Sequence, residues 1–166
     1  MKTRITFTLN GAECEAWVFP YETALDVLRE EFGAGEVRYG CGEGVCGTCT
    51  VQLDGEVVNG CLLLAVRLDG RDVRTVRGLR SLPSAPAGEP GSELHPLQES
   101  FLRNGAAQCG FCTPGMLLAA EELLREEPRP DRDTIRGRLA GNLCRCTGYT
   151  KILDAIEAYA GERAES

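Results

Sequence analysis

The sequence predicts an α+β chain built from two small domains, and three observations carry that reading. Residues 1–79 hold short alternating apolar runs broken by Asn-Gly and Asp-Gly pairs, whereas residues 94–160 repeat apolar side chains at helical spacing. Between them Leu82–Glu93 (LPSAPAGEPGSE) has three prolines, two glycines and few apolar groups. A period of two marks half-buried strands, a period near 3.6 marks helices, and a proline-rich stretch marks an extended connection. The expected division is a sheet domain at 1–79, a linker at 80–93, a helical domain at 94–160 and a tail at 161–166.

Thr3–Leu9 places Ile5, Phe7 and Leu9 on one face, and Asn10-Gly11 suits a two-residue turn in which both central residues need positive φ. A hairpin returning through Glu13–Phe19 follows. From Thr23 the period changes: Leu25, Leu28 and Phe32 recur at helical spacing, Thr23 can cap the start and Gly33 can end the helix. Further strands are expected at Thr50–Leu53, at Glu56–Val58 after an Asp54-Gly55 turn, and near Val73–Val76. In the second half, helices are expected at Leu97–Arg103, Pro114–Glu126, Asp133–Leu139 and Lys151–Ala160. Pro114 suits a first helical position, and Asp131 or Asp133 can cap the helix after Pro128 and Pro130.

The balance of 18 Lys+Arg against 25 Asp+Glu, net −7, argues against nucleic acid or an anionic membrane as partner. Apolar runs such as Cys61–Val66 are far too short for a membrane span, and Met1–Asn10 has charges where a secretory signal needs an apolar core. The expected setting is cytoplasmic and reducing. There, a chain so rich in cysteine reads as metal-binding rather than as a disulfide framework.

Eight of the nine form two quartets. Cys41, Cys46, Cys49 and Cys61 have the C-x4-C-x2-C…C spacing of a plant-type [2Fe–2S] centre. Four thiolates around two ferric ions and two sulfides leave a net dianion, which nearby N–H dipoles must offset. Gly40, Gly42, Gly44 and Gly47 let the backbone wrap that closely. Residues 42–47 (GEGVCG) also match the dinucleotide fingerprint G-x-G-x-x-G, but Cys49 leads into an expected strand where that fingerprint needs a helix. Cys109-x2-Cys112 and Cys144-x-Cys146, with 31 residues between the pairs, suit structural zinc as well as a second cluster by spacing alone.

The surrounding residues distinguish the two. QCGFCTPGM at 108–116 and GNLCRCTGY at 141–149, with GCGEGVCGTCTVQLDG at 40–55 and LHPLQESF at 94–101, resemble the small iron–sulfur subunit of the molybdenum hydroxylases. That family includes xanthine dehydrogenase, aldehyde oxidoreductase and carbon monoxide dehydrogenase. The resemblance spans nearly the whole chain. It implies a ferredoxin-like β-grasp domain with one [2Fe–2S] cluster, followed by a four-helix domain with a second, held by Cys109, Cys112, Cys144 and Cys146. It implies a large molybdopterin-binding subunit and a medium FAD-binding subunit as partners, in a heterotrimer or its dimer. It implies that electrons leave molybdenum through the helical-domain cluster, then the ferredoxin-like cluster, then the flavin. Gln108 and Cys146 match positions that contact the pterin in the family. No catalytic residue is expected on this chain, and because it stops soon after the helical domain, flavin and molybdenum domains, if present, are expected on other chains. Departures are small: Asn59-Gly60 precedes Cys61 where small residues such as Ser are common, and Arg38 stands where Lys is frequent. The alternative is a free-standing ferredoxin whose helical domain holds structural zinc and binds a partner.

Other conspicuous residues have plain readings. Cys14, without a partner at ligand spacing, is expected to pack as a small apolar group. His95, the only histidine, lies before Pro96 at a helix start and is expected to be structural. Met116, Leu117, Leu118 and Leu123 form a core-facing stripe. Arg71, Arg74, Arg77 and Arg80 are expected to be solvated, and Arg145 lies near either the cluster or a partner surface.

Overall fold

The computed structural model describes residues 1–82 and 93–165. Apart from its two end residues, the expected linker Leu82–Glu93 lies outside the described residues. The first half is a five-stranded mixed sheet in the order β2-β1-β5-β3-β4. Its strands are β1 (Thr3–Leu9), β2 (Ala12–Val18), β3 (Thr50–Leu53), β4 (Glu56–Asn59) and β5 (Asp72–Arg74). β1 pairs antiparallel with β2 and parallel with β5, while β3 pairs antiparallel with both β4 and β5. Both tight turns take the expected form, with φ of 53° and 87° at Asn10 and Gly11, and 51° and 90° at Asp54 and Gly55.

Helix α1 (Ala24–Glu30) opens on a reciprocal cap: the Asp26 N–H donates to the Thr23 hydroxyl oxygen, and the Thr23 N–H donates to the Asp26 carboxylate. Leu25 and Leu28 join Ile5, Phe7, Val18, Val51, Leu68 and Val73 in the core of this half. Cys14 packs at the margin of that core, half-buried, as expected.

One strand ends sooner than its apolar pattern predicts. β5 stops at Arg74 because the Thr75 N–H donates to Asn10 Oδ1 at 2.8 Å and its hydroxyl donates to Glu36 at 2.8 Å, which diverts the chain from the ladder. Val76 then starts a 3-10 helix through Ser81, whose Leu79 is fully buried among the helices of the second half.

That half consists of α2 (Pro96–Arg103), α3 (Thr113–Glu126), α4 (Arg132–Leu139) and α5 (Thr150–Glu165). Met116, Leu117, Leu118 and Leu123 are all buried in its core. In place of a tail from residue 161, α5 continues to Glu165. Charge rather than apolar period holds this extension: Arg103 pairs with Glu162 at 2.7 Å, and Arg163 lies 5.7 Å from the Tyr159 ring centre. Among the described residues no helix is long and apolar enough to cross a membrane.

His95 caps α2. Its Nδ1 accepts from the Leu97 N–H at 3.1 Å, and the residue is only 3% exposed. Burial, reinforced by the charges of Arg163 and Arg80, pushes its pKa down from 6.5 to about 4. The fold therefore holds His95 neutral, while the unfolded chain takes up a proton as pH falls below 6.5. The stability linked to this group is intact above pH 6.5 and is lost as pH falls through 4, for a total of about 3 kcal/mol. In His95→Asn, which keeps an oxygen acceptor at the cap, the fall in Tm between pH 7 and 5 is expected to flatten. An unchanged slope in thermal melts over that range would contradict this account.

The basic stretch around β5 is solvent-exposed at Arg71 and Arg77, as expected, and also carries surface ion pairs. Arg71 pairs with Asp54 at 2.7 Å, Arg74 with Asp72 at 2.9 Å and Arg77 with Glu36 at 3.2 Å.

Candidate metal centres

The first four thiols converge because of strand register. Thr50 of β3 lies opposite Asn59 of β4, and the Gly60 N–H donates to Cys49 O at 3.1 Å, so Cys49 and Cys61 emerge at one end of the sheet. Cys41 and Cys46 come from the loop before β3. The four arrange as two contacting pairs, Cys41 with Cys46 and Cys49 with Cys61. The second pair is buried, and the first is reached by solvent.

The loop backbone is shaped around the sulfurs. Gly42, Gly44 and Gly47 have φ of 74°, 78° and 67°. A Cβ at Gly40 would lie 2.7 Å from Cys46 Sγ and 2.5 Å from Thr48 Oγ1, so only glycine fits there. The Glu43 N–H donates to Cys41 Sγ at 3.5 Å and, with the neighbouring Cys46, lowers the Cys41 pKa to about 6. Burial pushes Cys49 up to about 11, reinforced by contact with Cys61. Residues 42–47 lead through Thr48 and Cys49 into β3 and open no helix, so the dinucleotide fingerprint is coincidental.

The second four thiols gather from two loops at one end of the helical layer. Cys109 and Cys112 precede α3, and Cys144 and Cys146 lie between α4 and α5. They too form pairs. Cys109 and Cys146, both exposed, have sulfurs 3.5 Å apart, and the buried Cys112 contacts Cys144. The Phe111 N–H is the main influence that lowers the Cys109 pKa. Cys146 is pushed up by the adjacent Cys109 sulfur, and Cys112 is pushed up to about 12 by burial. Burial acts to raise Cys144, but the hydroxyl and N–H of Thr147, at 3.0 and 3.3 Å, outweigh it and lower its pKa. Tyr149, at φ 67°, latches this loop: its hydroxyl accepts from the Cys144 N–H at 2.9 Å and donates to Asn142 O at 3.4 Å.

Among the described residues no three His, Cys, Asp or Glu side chains close on a single ion. In each site two contacting pairs of thiols, with N–H groups aimed at sulfur, would suit a dinuclear anionic core such as a [2Fe–2S] cluster, which these four cysteines would hold. Thiols whose pKa already lies low lose their protons to a metal most readily.

The two loops meet across the seam between the halves. The Leu143 N–H, next to Cys144, donates to the carbonyl of Cys46 at 2.9 Å. Asn142 Nδ2 donates to Gly47 O at 3.0 Å, and Gly115 of α3 packs against that same carbonyl. Farther along the seam, Gln52 donates to Glu121 at 2.5 Å, and the Val57 N–H of edge strand β4 donates to Glu122 at 2.7 Å. Arg138 pairs with Glu122 from the helical side at 2.7 Å. Sequence reading missed these residues; the one available signal was an acidic pair, Glu121 and Glu122, inside an otherwise apolar helical stripe. Gln108 is exposed beside the Cys109–Cys146 pair, with exposed Phe111 and Leu143 nearby, and Arg145 is exposed between Cys144 and Cys146.

Comparison with known proteins agrees with this geometry. Residues 7–75 match a 2Fe-2S iron-sulfur cluster binding domain, and residues 76–157 match a [2Fe-2S] binding domain. The nicotinate dehydrogenase small FeS subunit of Eubacterium barkeri is 44% identical over 162 residues, covering 98% of this chain and 97% of that protein. The nicotine 6-hydroxylase small subunit of Paenarthrobacter nicotinovorans is 42% identical over 155 residues, covering 93% and 88%. A chain of quinoline 2-oxidoreductase from Pseudomonas putida 86 superposes with a TM-score of 0.87 at 44% identity, covering 99% of this chain and 98% of that one. With both [2Fe–2S]-binding domains present and relatives matched from end to end, the chain belongs to the small iron–sulfur subunits of the molybdenum-hydroxylase family of oxidoreductases.

Proposed function

We propose that this chain carries electrons from a molybdopterin centre on a large partner subunit to a flavin on a medium one, in a cytoplasmic heterotrimer or its dimer. Cys41, Cys46, Cys49 and Cys61 hold one [2Fe–2S] cluster, and Cys109, Cys112, Cys144 and Cys146 hold the other. Such a core supplies reversible one-electron storage, which lets a two-electron oxidation be passed on singly. The sheet and helical domains meet near residues 76–82, where Leu79 anchors the one in the other.

The observation that carries the reading is the Leu143 N–H to Cys46 O hydrogen bond, 2.9 Å long, which joins the two ligand loops. Electron tunnelling decays exponentially with distance and less steeply through bonds than through gaps. A main-chain link between a ligand of one site and the neighbour of a ligand of the other therefore favours passage between them. Each site also has an open side. Cys109 and Cys146, beside Gln108, face outward at one end and are assigned to the molybdopterin partner; Cys41, among exposed Tyr39, Val45 and Leu62, is assigned to the flavin partner. This chain supplies no substrate site; substrate choice lies in the large subunit.

Metal analysis tests the assignment. The purified full chain should contain about four irons with matching acid-labile sulfide. Half that iron together with one zinc would instead establish a ferredoxin with a structural-zinc helical domain. Gln108→Ala is expected to slow electron entry from the molybdenum subunit by about tenfold, while transfer between the clusters holds its rate. Rapid-freeze spectra of each centre measure the two steps separately, and equal slowing of both would reject a pterin-facing role.

A further inference from the structure

Arg38 spans the seam between the two ligand loops. Its backbone belongs to the first: its N–H donates to Thr48 O at 3.1 Å, and its carbonyl accepts from the Thr48 hydroxyl at 3.2 Å. That hydroxyl lies 3.2 Å from Cys46 Sγ. Its side chain belongs to the second: Nη1 donates to Gly110 O at 2.6 Å, and the guanidinium carbon stands 5.2 Å from the Phe111 ring centre. Gly110 and Phe111 are the two residues between Cys109 and Cys112, and the Phe111 N–H is the donor that acts most strongly on Cys109. Phe111 is 44% exposed, so the guanidinium contacts a ring that solvent still reaches. Among the described residues no carboxylate pairs with Arg38.

We propose that Arg38 is a positioning residue for electron transfer, clamping the Cys109–Cys112 loop to the sheet domain and setting an uncompensated positive charge between two anionic centres. The proposal rests on the ligand assignment above. Its two parts separate by chemistry. The charge favours the reduced, more negative form of both clusters and so raises both potentials. The clamp depends on shape: a planar guanidinium can donate to the Gly110 carbonyl while lying against the Phe111 ring, and an ammonium cannot do both. Arg38→Lys therefore keeps the first effect and loses the second, whereas Arg38→Met loses both.

The experiment uses the full chain loaded with both clusters, comparing wild type, Arg38→Lys and Arg38→Met. Potentials are read by spectroscopically monitored redox titration, and loop order by amide exchange of residues 110–112. Arg38→Met is expected to lower both potentials. Both variants are expected to exchange the loop amides at least about tenfold faster, with Arg38→Lys keeping wild-type potentials. Unshifted potentials in Arg38→Met, or unchanged exchange in both variants, would overturn the proposal. Should Arg38→Met fail to load, amide exchange in Arg38→Lys decides alone. A wild-type chain showing a single centre would overturn the ligand assignment, and the Arg38 proposal with it. Two centres insensitive to Arg38→Met would overturn only the latter.

Discussion

Cys146→Ser is expected to abolish the helical-domain centre, halve the iron content and leave the ferredoxin-like centre spectroscopically intact. A serine hydroxyl gives up its proton far less readily than a thiol and is a harder, poorer ligand for iron–sulfur cores. Cys146 is exposed and paired with Cys109 at 3.5 Å, so on the proposed ligand assignment its loss would strip one metal position of half its protein ligands. The rest of the loop has its own supports, since Cys144 is held through Thr147 and Tyr149. The contact with the first site runs through the main chain of Leu143 and Cys46, which the substitution leaves in place. Electron passage through the chain should fall by roughly a hundredfold or more, because one whole station is missing. Visible absorption, iron analysis and low-temperature magnetic spectra of the variant measure these effects. Loss of both centres together would show that the two quartets are not independent.

What the sequence revealed and what it concealed follow from the range of the interactions involved. Local chemistry was plain: Asn10-Gly11 and Asp54-Gly55 need positive φ, Thr23 caps a helix, and alternation in Thr3–Leu9 puts Ile5 and Phe7 inward; His95 was legible as structural, but its capping role emerged only from the fold. The first quartet was legible from its C-x4-C-x2-C…C spacing; the second needed the residues around its cysteines as well, because spacing alone suits zinc equally, and the structure gathers the thiols of each set. Element ends were less legible where distant groups decide them. Thr75 leaves its strand for Asn10 and Glu36, residues 65 and 39 positions away. The extension of α5 depends on Arg103, on another helix. The seam was hidden for the same reason. Gln52 and Glu121 are 69 positions apart, and Asn142 and Gly47 are 95 apart, so no periodicity links them. Buried acids on an apolar helix face are the kind of local inconsistency that marks such a seam, because each needs a partner that its own segment cannot supply.

Gly115→Ala provides the sharpest test of how closely the two halves approach. In a helix, alanine is ordinarily preferred to glycine by up to about 1 kcal/mol, so propensity alone predicts a gain. Packing predicts the reverse. A Cβ at Gly115 would lie 2.2 Å from Gly47 O and 2.9 Å from Asn142 Nδ2. That carbonyl is poorly placed to yield: it accepts from the Thr50 N–H at 3.3 Å, the Thr50 hydroxyl at 2.7 Å and Asn142 at 3.0 Å. Forced overpacking costs about 1–3 kcal/mol, and each hydrogen bond lost on retreat costs about 1 kcal/mol more. The steric side wins, and the net expectation is a loss of about 3 kcal/mol, or roughly 10 °C in Tm for a chain of this size. Gly137→Ala in α4 is the matched control, since its Cβ would meet nothing within 4 Å; there propensity acts alone and Tm should rise slightly. Because the added methyl pushes on the link between the ligand loops rather than on any thiol, both centres should still assemble while transfer between them slows. Melting curves of the two variants with opposite signs would establish the contact; a Gly115→Ala chain as stable as Gly137→Ala would mean that the halves sit farther apart than the backbone at Gly47 indicates.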